Sequence, residues 1–275
     1  MRICVLGSGS SGNSTYLETE CTKILIDAGL PYYIIVQRLA EIGVKPEEIN
    51  AIFITHAHGD HIRSVCTFER LYGTPVFAPK KTQNVLKEKF PAYPWNFFEI
   101  EERYRDIEVV HFSVSHGMGE EVGLPVNFLF YVGNATYAHL TDLGKCEEEH
   151  IEIVRGANCI HIEANYEENI VRHKLKNPAF ANEWDYLRWV ASSNGHLSNT
   201  QCSNALSSIV SHKTKHVFLA HLSENHPEPR KDNNSYTIAK RKITLTLKVR
   251  GILPEIHRTY RRGASEGRKS DIVTI

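Results

Sequence analysis

The stretch THAHGDHI, residues 55–62, places His56, His58, Asp60 and His61 within six positions. Imidazole and carboxylate together suit Zn²⁺, Mn²⁺ or Fe. In an extended segment His56 and His58 are two apart, project the same way and can hold one ion. After the turn at Gly59, Asp60 and His61 can reach a second. A shuffled chain of this composition shows HxHxDH on the order of once in a thousand tries, which sets aside the bland alternative of a histidine-rich surface turn. The chemistry such a set performs is metal-assisted hydrolysis. Paired ions clamp a hydroxide, and metal binding brings the pKa of bound water to roughly 7.

Four further candidates each end an apolar run: Asp27 in ILIDAG, His116 in SVSHG, Asp142 in TDLG and His221 in FLAHLS. Each has a plainer rival. Asp142 could cap a helix, His116 could be an ordinary loop residue, and His221 a satisfied core histidine. His111 and His226 lie close by in sequence but read as core or surface residues.

The elements that must position these side chains alternate. RICVLG reads as a buried strand, TYLETE and TKILIDAG as two more, and residues 31–43 as a helix with Pro31 in its first turn and Gly43 past its end. AIFITHA is a β-branched strand, IRSVCTFERLYG a helix, PVFAP a strand and KKTQNVLKEKF a helix. IEVVHFSVSHG alternates apolar and polar residues. VNFLFYVGNATYAHLTDLG reads as a hairpin turning at Gly133-Asn134. EEHIEIVRGA is helical, NCIHIEAN a strand, NEWDYLRWVASS an amphipathic helix, NTQCSNALSSIVSHK a helix and HVFLAHLS a strand. TIAKRKITLTLKVRGILPEIHR suits a helix or a strand pair, and residues 225–235 read as a loop without structure. Alternating strands and helices argue for an α/β layered domain, in which loops beyond the strand ends build the site.

Composition is that of a soluble globular chain, with 41% hydrophobic and 23% charged residues. No stretch approaches the roughly 18 apolar residues of a membrane span. The six cysteines are scattered without a CxxC pair, which suits a reduced, cytoplasmic chain. Net charge is zero, yet Lys240 to Lys269 carries ten Lys/Arg against Glu255 and Glu266, a net of +8. Such a segment can anchor a polyanion or be a solvated tail. The expected division is a catalytic domain over 1–235 and a basic C-terminal segment over 236–275, packed on the same domain and then running into a tail. Nothing in the sequence sets an oligomeric state.

HAHGDH and the ordered residues after it resemble the signature of the metallo-β-lactamase-fold hydrolases across most of the chain. The resemblance implies a four-layer αββα sandwich. It implies that His56, His58 and His116 ligate one divalent ion and Asp60, His61 and His221 the other, with Asp142 bridging both. Asp27 would lie behind them, orienting a ligating histidine. Two Zn²⁺ or Mn²⁺ ions, or Fe, would hold a bridging hydroxide, and Asp60 would also orient or deprotonate the attacking water. No serine or cysteine nucleophile is needed. Ser8, Ser10 and Ser11 lack the pattern of a nucleophile elbow.

HIEANYEEN, GHLSN and HVFLAHLS resemble, in that order, the HEAT, GHST and THFS stretches of the tRNA 3′-processing endonucleases. This implies that His196 contacts a phosphate oxygen or protonates the leaving oxygen, with Glu163 holding His196 in place. Capping of the following helix is the simpler role for His196. GSGSSGNS, ILIDAG, THAHGDHI, the TDLG turn, EAN and GHLSN together resemble more closely the YycJ/WalJ group, over residues 1–225. That resemblance implies a 5′-to-3′ exonuclease acting on double-stranded DNA with a free end. The region after HLSENHPE departs from the group by being longer and more basic, which bears on how DNA is gripped. Glycines in SGSSGN let backbone N–H groups approach an anion, so Ser11 and Asn13 are candidates for substrate or loop positioning, against a plain tight turn. The competing functions are an RNA-processing endonuclease of the same chemistry and a hydrolase of a small thioester, lactone or cyclic phosphodiester.

Overall fold

The structure is a computed structural model that describes residues 1–117, 119–223, 235–260 and 271–275. The expected loop at 225–235 lies outside the described residues except for Ser235. His226, Arg261, Arg262, Arg268 and Lys269 lie outside them too. The chain divides into two compact units, Met1–Ser113 with Met118–Ala135 and Thr259–Ile275, and Val114–Gly117 with Thr136–Arg258. They are described in turn.

In the first unit, β1 (Arg2–Gly7), β2 (Ser14–Glu18) and β3 (Lys23–Ile26) form an antiparallel meander, with Cys4 opposite Tyr16 and Leu17 opposite Ile24. β4 (Ala51–Phe53), β5 (Val76–Phe77) and β6 (Phe97–Phe98) then add in parallel. Parallel neighbours need crossover connections. Here α1 (Tyr32–Ala40) precedes β4, α2 (Gly59–Ile62) and α3 (Val65–Tyr72) precede β5, and α4 (Lys80–Lys89) precedes β6. The C-terminal strand Ile272–Thr274 closes the other edge, with Val273 opposite Ile3. One face of the sheet packs on the helices: Leu6, Leu25 and Ile52 share a core with Ile35, Leu39, Phe68 and Leu86. The opposite face meets the antiparallel strands β7 (Arg103–Tyr104), β8 (Ile107–Ser113) and β9 (Val126–Val132). Phe53 stacks on Phe77 at 4.9 Å and meets Phe128 and Phe130 edge-on at 6.1 and 5.9 Å. Such aromatic pairs add to plain area burial.

The helix read in IRSVCTFERLYG is α3, which starts at Val65 rather than at Ile62. The Ser64 amide bonds the carbonyl of Ala28 at 2.8 Å, and its hydroxyl bonds that of Leu30 at 2.6 Å. Those bonds draw the segment onto the strand-end loop and interrupt the helical ladder between Ile62 and Val65.

In the second unit, β10 (Ala135–Leu140), β11 (Cys159–Glu163), β12 (His216–Ala220) and β13 (Glu255–Arg258) are all parallel. β11 is buried along its whole length, as befits a strand covered on both faces. α5 (Glu148–Val154), α8 (Asn199–Ile209) and α9 (Ser235–Val249) lie between successive strands in the chain. Ser198 opens α8 with a capping box, its hydroxyl accepting from the Gln201 amide at 3.1 Å while the Gln201 side chain accepts from the Ser198 amide at 2.8 Å. The helix-or-strand alternative at 236–249 resolves as helix, because Ser235, Ala239, Ile243 and Leu247 recur every fourth residue and are the buried ones. Two elements after β11 fix the approach to GHLSN: α6 (Glu168–Lys176) and α7 (Trp184–Val190). They bury Val171, Leu187 and Val190 together with Tyr166.

No helix among the described residues is long and apolar enough to cross a membrane. All six cysteines are free, with Cys4, Cys159 and Cys202 buried.

Candidate metal centre

In the first unit the histidine motif follows β4, and Asp27 follows the adjacent strand β3. Asp27 turns the chain sharply with φ 59°. That left-handed conformation is uncommon for a residue with a Cβ, though Asp tolerates it better than most. Its carboxylate accepts from the Thr55 amide at 2.9 Å, from the Thr55 hydroxyl at 2.8 Å and from His61 Nδ1 at 2.7 Å. With Nδ1–H given to Asp27, His61 keeps the lone pair of Nε2 for a metal, the arrangement expected behind a ligating imidazole. Burial pushes the Asp27 carboxyl up from its ordinary range, against the pull of His61 and Thr55. His56 and His58 approach to 2.8 Å between Nε2 and Nδ1, and the His56 and His61 rings lie 4.1 Å apart.

The loop SGSSGNS is packed around Asn13. Gly9 N–H bonds the Asn13 side chain at 2.7 Å, and Asn13 is 6% exposed. The Asn13 amide nitrogen stands 3.2 Å from Asp60 Oδ2 and 3.0 Å from His61 Nε2. Asn13 therefore steadies Asp60, while its contact with His61 Nε2 would give way to a bound ion; Ser11 is half-buried in the same loop. Gly29 matters for a steric reason: a Cβ there would lie 1.6 Å from the Asp60 carbonyl oxygen. The ILIDAG glycine allows the DH turn to sit directly against the end of β3.

In the second unit Asp142 lies two residues past β10, Glu163 ends β11 and His221 follows β12 at once. Asp142 and His221 both have positive φ, 52° and 49°. Such outliers cluster at functional sites. Asp142 Oδ1 stands 3.7 Å from His116 Nε2 and 3.6 Å from His221 Nε2. These gaps are too long for hydrogen bonds. Two ligands on one tetrahedral ion with bonds of about 2.1 Å stand about 3.4 Å apart, close to what is found here. His116 gives Nδ1–H to the Gly195 carbonyl at 2.9 Å, which directs Nε2 toward Asp142. Burial lowers the His116 pKa, favouring the neutral imidazole a metal requires.

His196 Nδ1 lies 2.7 Å from Glu163 Oε1, and the Leu143 and Leu197 amides approach Glu163 Oε2 at 3.3 and 3.4 Å. Burial pulls the Glu163 carboxyl up, but His196 and His221 beside it win and hold it below its usual range. The His196 ring stacks on His221 at 4.7 Å and meets Trp189 edge-on at 5.2 Å. Ser198, not His196, caps α8. The TDLG glycine serves packing: a Cβ on Gly144 would lie 2.1 Å from the Ser193 carbonyl oxygen. His111 is exposed on β8, apart from the cluster.

The donor chemistry fits divalent ions in both units. In the second, one donor atom each from Asp142, Glu163, His196 and His221 falls within 4.8 Å of the others. Comparison with known proteins agrees. The family described as Beta-lactamase superfamily domain matches residues 22–222. The chain belongs to that superfamily. Exodeoxyribonuclease WalJ of Streptococcus pneumoniae is 36% identical over 227 residues, covering 80% of this chain and 81% of that protein. Exodeoxyribonuclease YycJ of Bacillus anthracis is 30% identical over 256 residues, covering 91% and 90%. The crystal structure of Zn(2+)-bound PqqB from Methylobacterium extorquens superposes over the whole of both chains with a TM-score of 0.68 at 13% identity. This chain has the metallo-β-lactamase fold, the α/β sandwich the sequence led us to expect.

Two groups that sequence reasoning did not single out brace candidate residues, one in each unit. Thr55 holds Asp27 through both its amide and its hydroxyl. Asn165 Nδ2 reaches both Nδ1 and the carbonyl of His221, each at 2.8 Å. Each stands inside a stretch already conspicuous, THAHGDH and EAN, and that adjacency is the signal that could have found them.

Proposed function

We propose that this metal-dependent nucleic-acid hydrolase is a DNA exonuclease that works from 5′ to 3′ on duplexes with a free end. The observation that carries the reading is Asp142 Oδ1, set at ion-sharing distance from the imidazoles of His116 and His221. The 36% and 30% identity to named exodeoxyribonucleases supports DNA as the substrate. The ligand sets proposed are those the family resemblance implies: His56, His58 and His116 for one ion, Asp60, His61 and His221 for the other, and Asp142 shared. When bound, two such ions neutralise charge on the phosphate and make water acidic enough to attack at neutral pH.

The chain's own residues then divide the work. Asp27 fixes the direction of His61, and Asn165 that of His221. Asp60 has 23% of its side chain exposed and is steadied by Asn13, so it can orient the incoming water. His196 directs Nδ1 to Glu163 and keeps Nε2 for a phosphate oxygen or for protonating the leaving oxygen. Ser11 is the loop's candidate for a substrate contact. Catalytic residues fall within 1–235, and the basic segment 236–275 supplies phosphate contacts, with Lys240, Arg241 and Lys248 exposed on α9.

The test is hydrolysis of duplex DNA labelled at either the 5′ or the 3′ end, with Mn²⁺ or Zn²⁺, beside a pre-tRNA. The reading expects progressive shortening from the 5′ end and an intact pre-tRNA. Loss from the 3′ end, pre-tRNA cleavage, or turnover confined to small esters would overturn it.

A further inference from the structure

At the opposite end of β12 from His221 a second group of ligand-type side chains converges. His216 opens β12 and pairs in register with Glu255, the first residue of β13. Glu255 and His257 are two apart on one strand and so share a face. By strand rise, His216 and His221 are separated by about 16 Å, so this group is distinct from the one around Asp142.

We propose that His216, Glu255 and His257 bind a divalent transition-metal ion of the borderline class, with Zn²⁺ the expected occupant. His216 Nδ1 stands 3.0 Å from His257 Nε2 and 3.5 Å from Glu255 Oε2, and His257 Nε2 stands 3.8 Å from Glu255 Oε2. The point equidistant from those three atoms lies about 2.0 Å from each, which is the bond length zinc makes to nitrogen and carboxylate oxygen. That point lies in the plane of the three donors, so a tetrahedral ion needs small side-chain shifts toward the ligand spacing of about 3.4 Å, chiefly a parting of the two imidazoles. Two imidazoles and one carboxylate leave a fourth position for water. The His257 ring is fixed by Phe218, whose ring lies 4.8 Å away at 30°. His257 is 4% exposed in its side chain, His216 17% and Glu255 68%, so an ion enters from the carboxylate side. A hydrogen bond between the two imidazoles accounts for the 3.0 Å contact alone. It gives no reason for an exposed carboxylate to converge on the same point against its side-chain entropy. The ion would tie β13 to β12 through side chains as well as the backbone ladder, and so add to stability.

The full-length protein, stripped with chelator and titrated with Zn²⁺ against a chromophoric chelator, tests this. Glu255→Gln changes an exposed side chain, and His216→Gln keeps a polar group of similar reach, so both variants fold. The wild type is expected to take up one more zinc than His216→Gln, and Glu255→Gln to hold that zinc at least tenfold more weakly. The zinc-dependent part of the Tm should shrink in both. Mn²⁺-supported DNA hydrolysis should be the same in all three. Equal zinc number and affinity in the three proteins would overturn the site. Loss of hydrolysis together with zinc would overturn its separateness from the centre around Asp142.

Discussion

Glu163 is a buried carboxylate whose oxygens face one imidazole at 2.7 Å, a second at 3.3 Å and two backbone amides. A buried carboxylate held this close to two imidazoles suits orienting them rather than reacting. His196 is the group it orients, and the two roles separate experimentally. His196→Ala is expected to lower kcat on DNA by about 10²-fold, the usual worth of a positioned acid or phosphate contact. Metal content, read by atomic absorption, should stay as in the wild type. Wild-type turnover with metal lost would exchange the roles, making His196 a ligand. At this scale the sequence was informative about ligand type. HxHxDH names its own chemistry by spacing, and Asp142 and His221 were marked by the apolar runs before them. Thr55 and Asn165 were harder to see because a hydrogen-bonding partner is defined by where it folds, and neither residue type is unusual in itself.

Short elements do the positioning, and small residues let them approach. Gly29 allows α2 and its preceding turn to lie against the end of β3. Gly29→Ala would drive a methyl into the Asp60 carbonyl, and relief requires moving Asp60 and His61. Overpacking of this kind costs about 1–3 kcal/mol or more. The expected outcome is a lowered Tm with a loss of bound metal larger than the loss of helix content by circular dichroism. A variant with wild-type metal affinity would show that the turn tolerates displacement. Ser198→Ala removes the α8 cap. It should cost about 1 kcal/mol and lower the Tm by about 2–4 °C, with hydrolysis retained, since the cap touches no candidate ligand. The sequence disclosed the long apolar strands well, as at β1 and β12. At α9 it left helix and strand pair open, although Ala239, Ile243 and Leu247, which are buried, recur every fourth residue. It disclosed β6 and β7 poorly, because two residues carry no period. It started α3 three residues early, because the bonds from Ser64 to Ala28 and Leu30 that delay the helix are tertiary.

For the molecule as a whole, the family match and the all-parallel second unit agree with the layered fold read from the sequence. If the basic segment grips the phosphates as proposed, binding of DNA should weaken steeply with salt, because phosphate neutralisation releases counterions. Stability carries a distinct pH signature through His161, which is fully buried beside Tyr137 and His139. Burial pushes its pKa down from 6.5 to about 3. The unfolded chain therefore binds this proton more readily between those values. The stability it leaves intact above pH 6.5 is lost as pH falls toward 3, at up to roughly 1.4 kcal/mol per pH unit. Denaturant midpoints for the wild type and His161→Gln between pH 7 and 5 should show the shallower slope in the variant, and equal slopes would exclude the residue as a cause. The most direct test of the account is a single preparation of wild type, His58→Ala and Asp142→Ala assayed together for metal content and for hydrolysis of end-labelled duplex DNA. The wild-type chain is expected to hold about two divalent ions at this centre, besides the one proposed at His216, Glu255 and His257, with a fall in both variants and hydrolysis reduced by at least about 10³-fold with the far-ultraviolet spectrum unchanged. Wild-type hydrolysis by folded Asp142→Ala would contradict it.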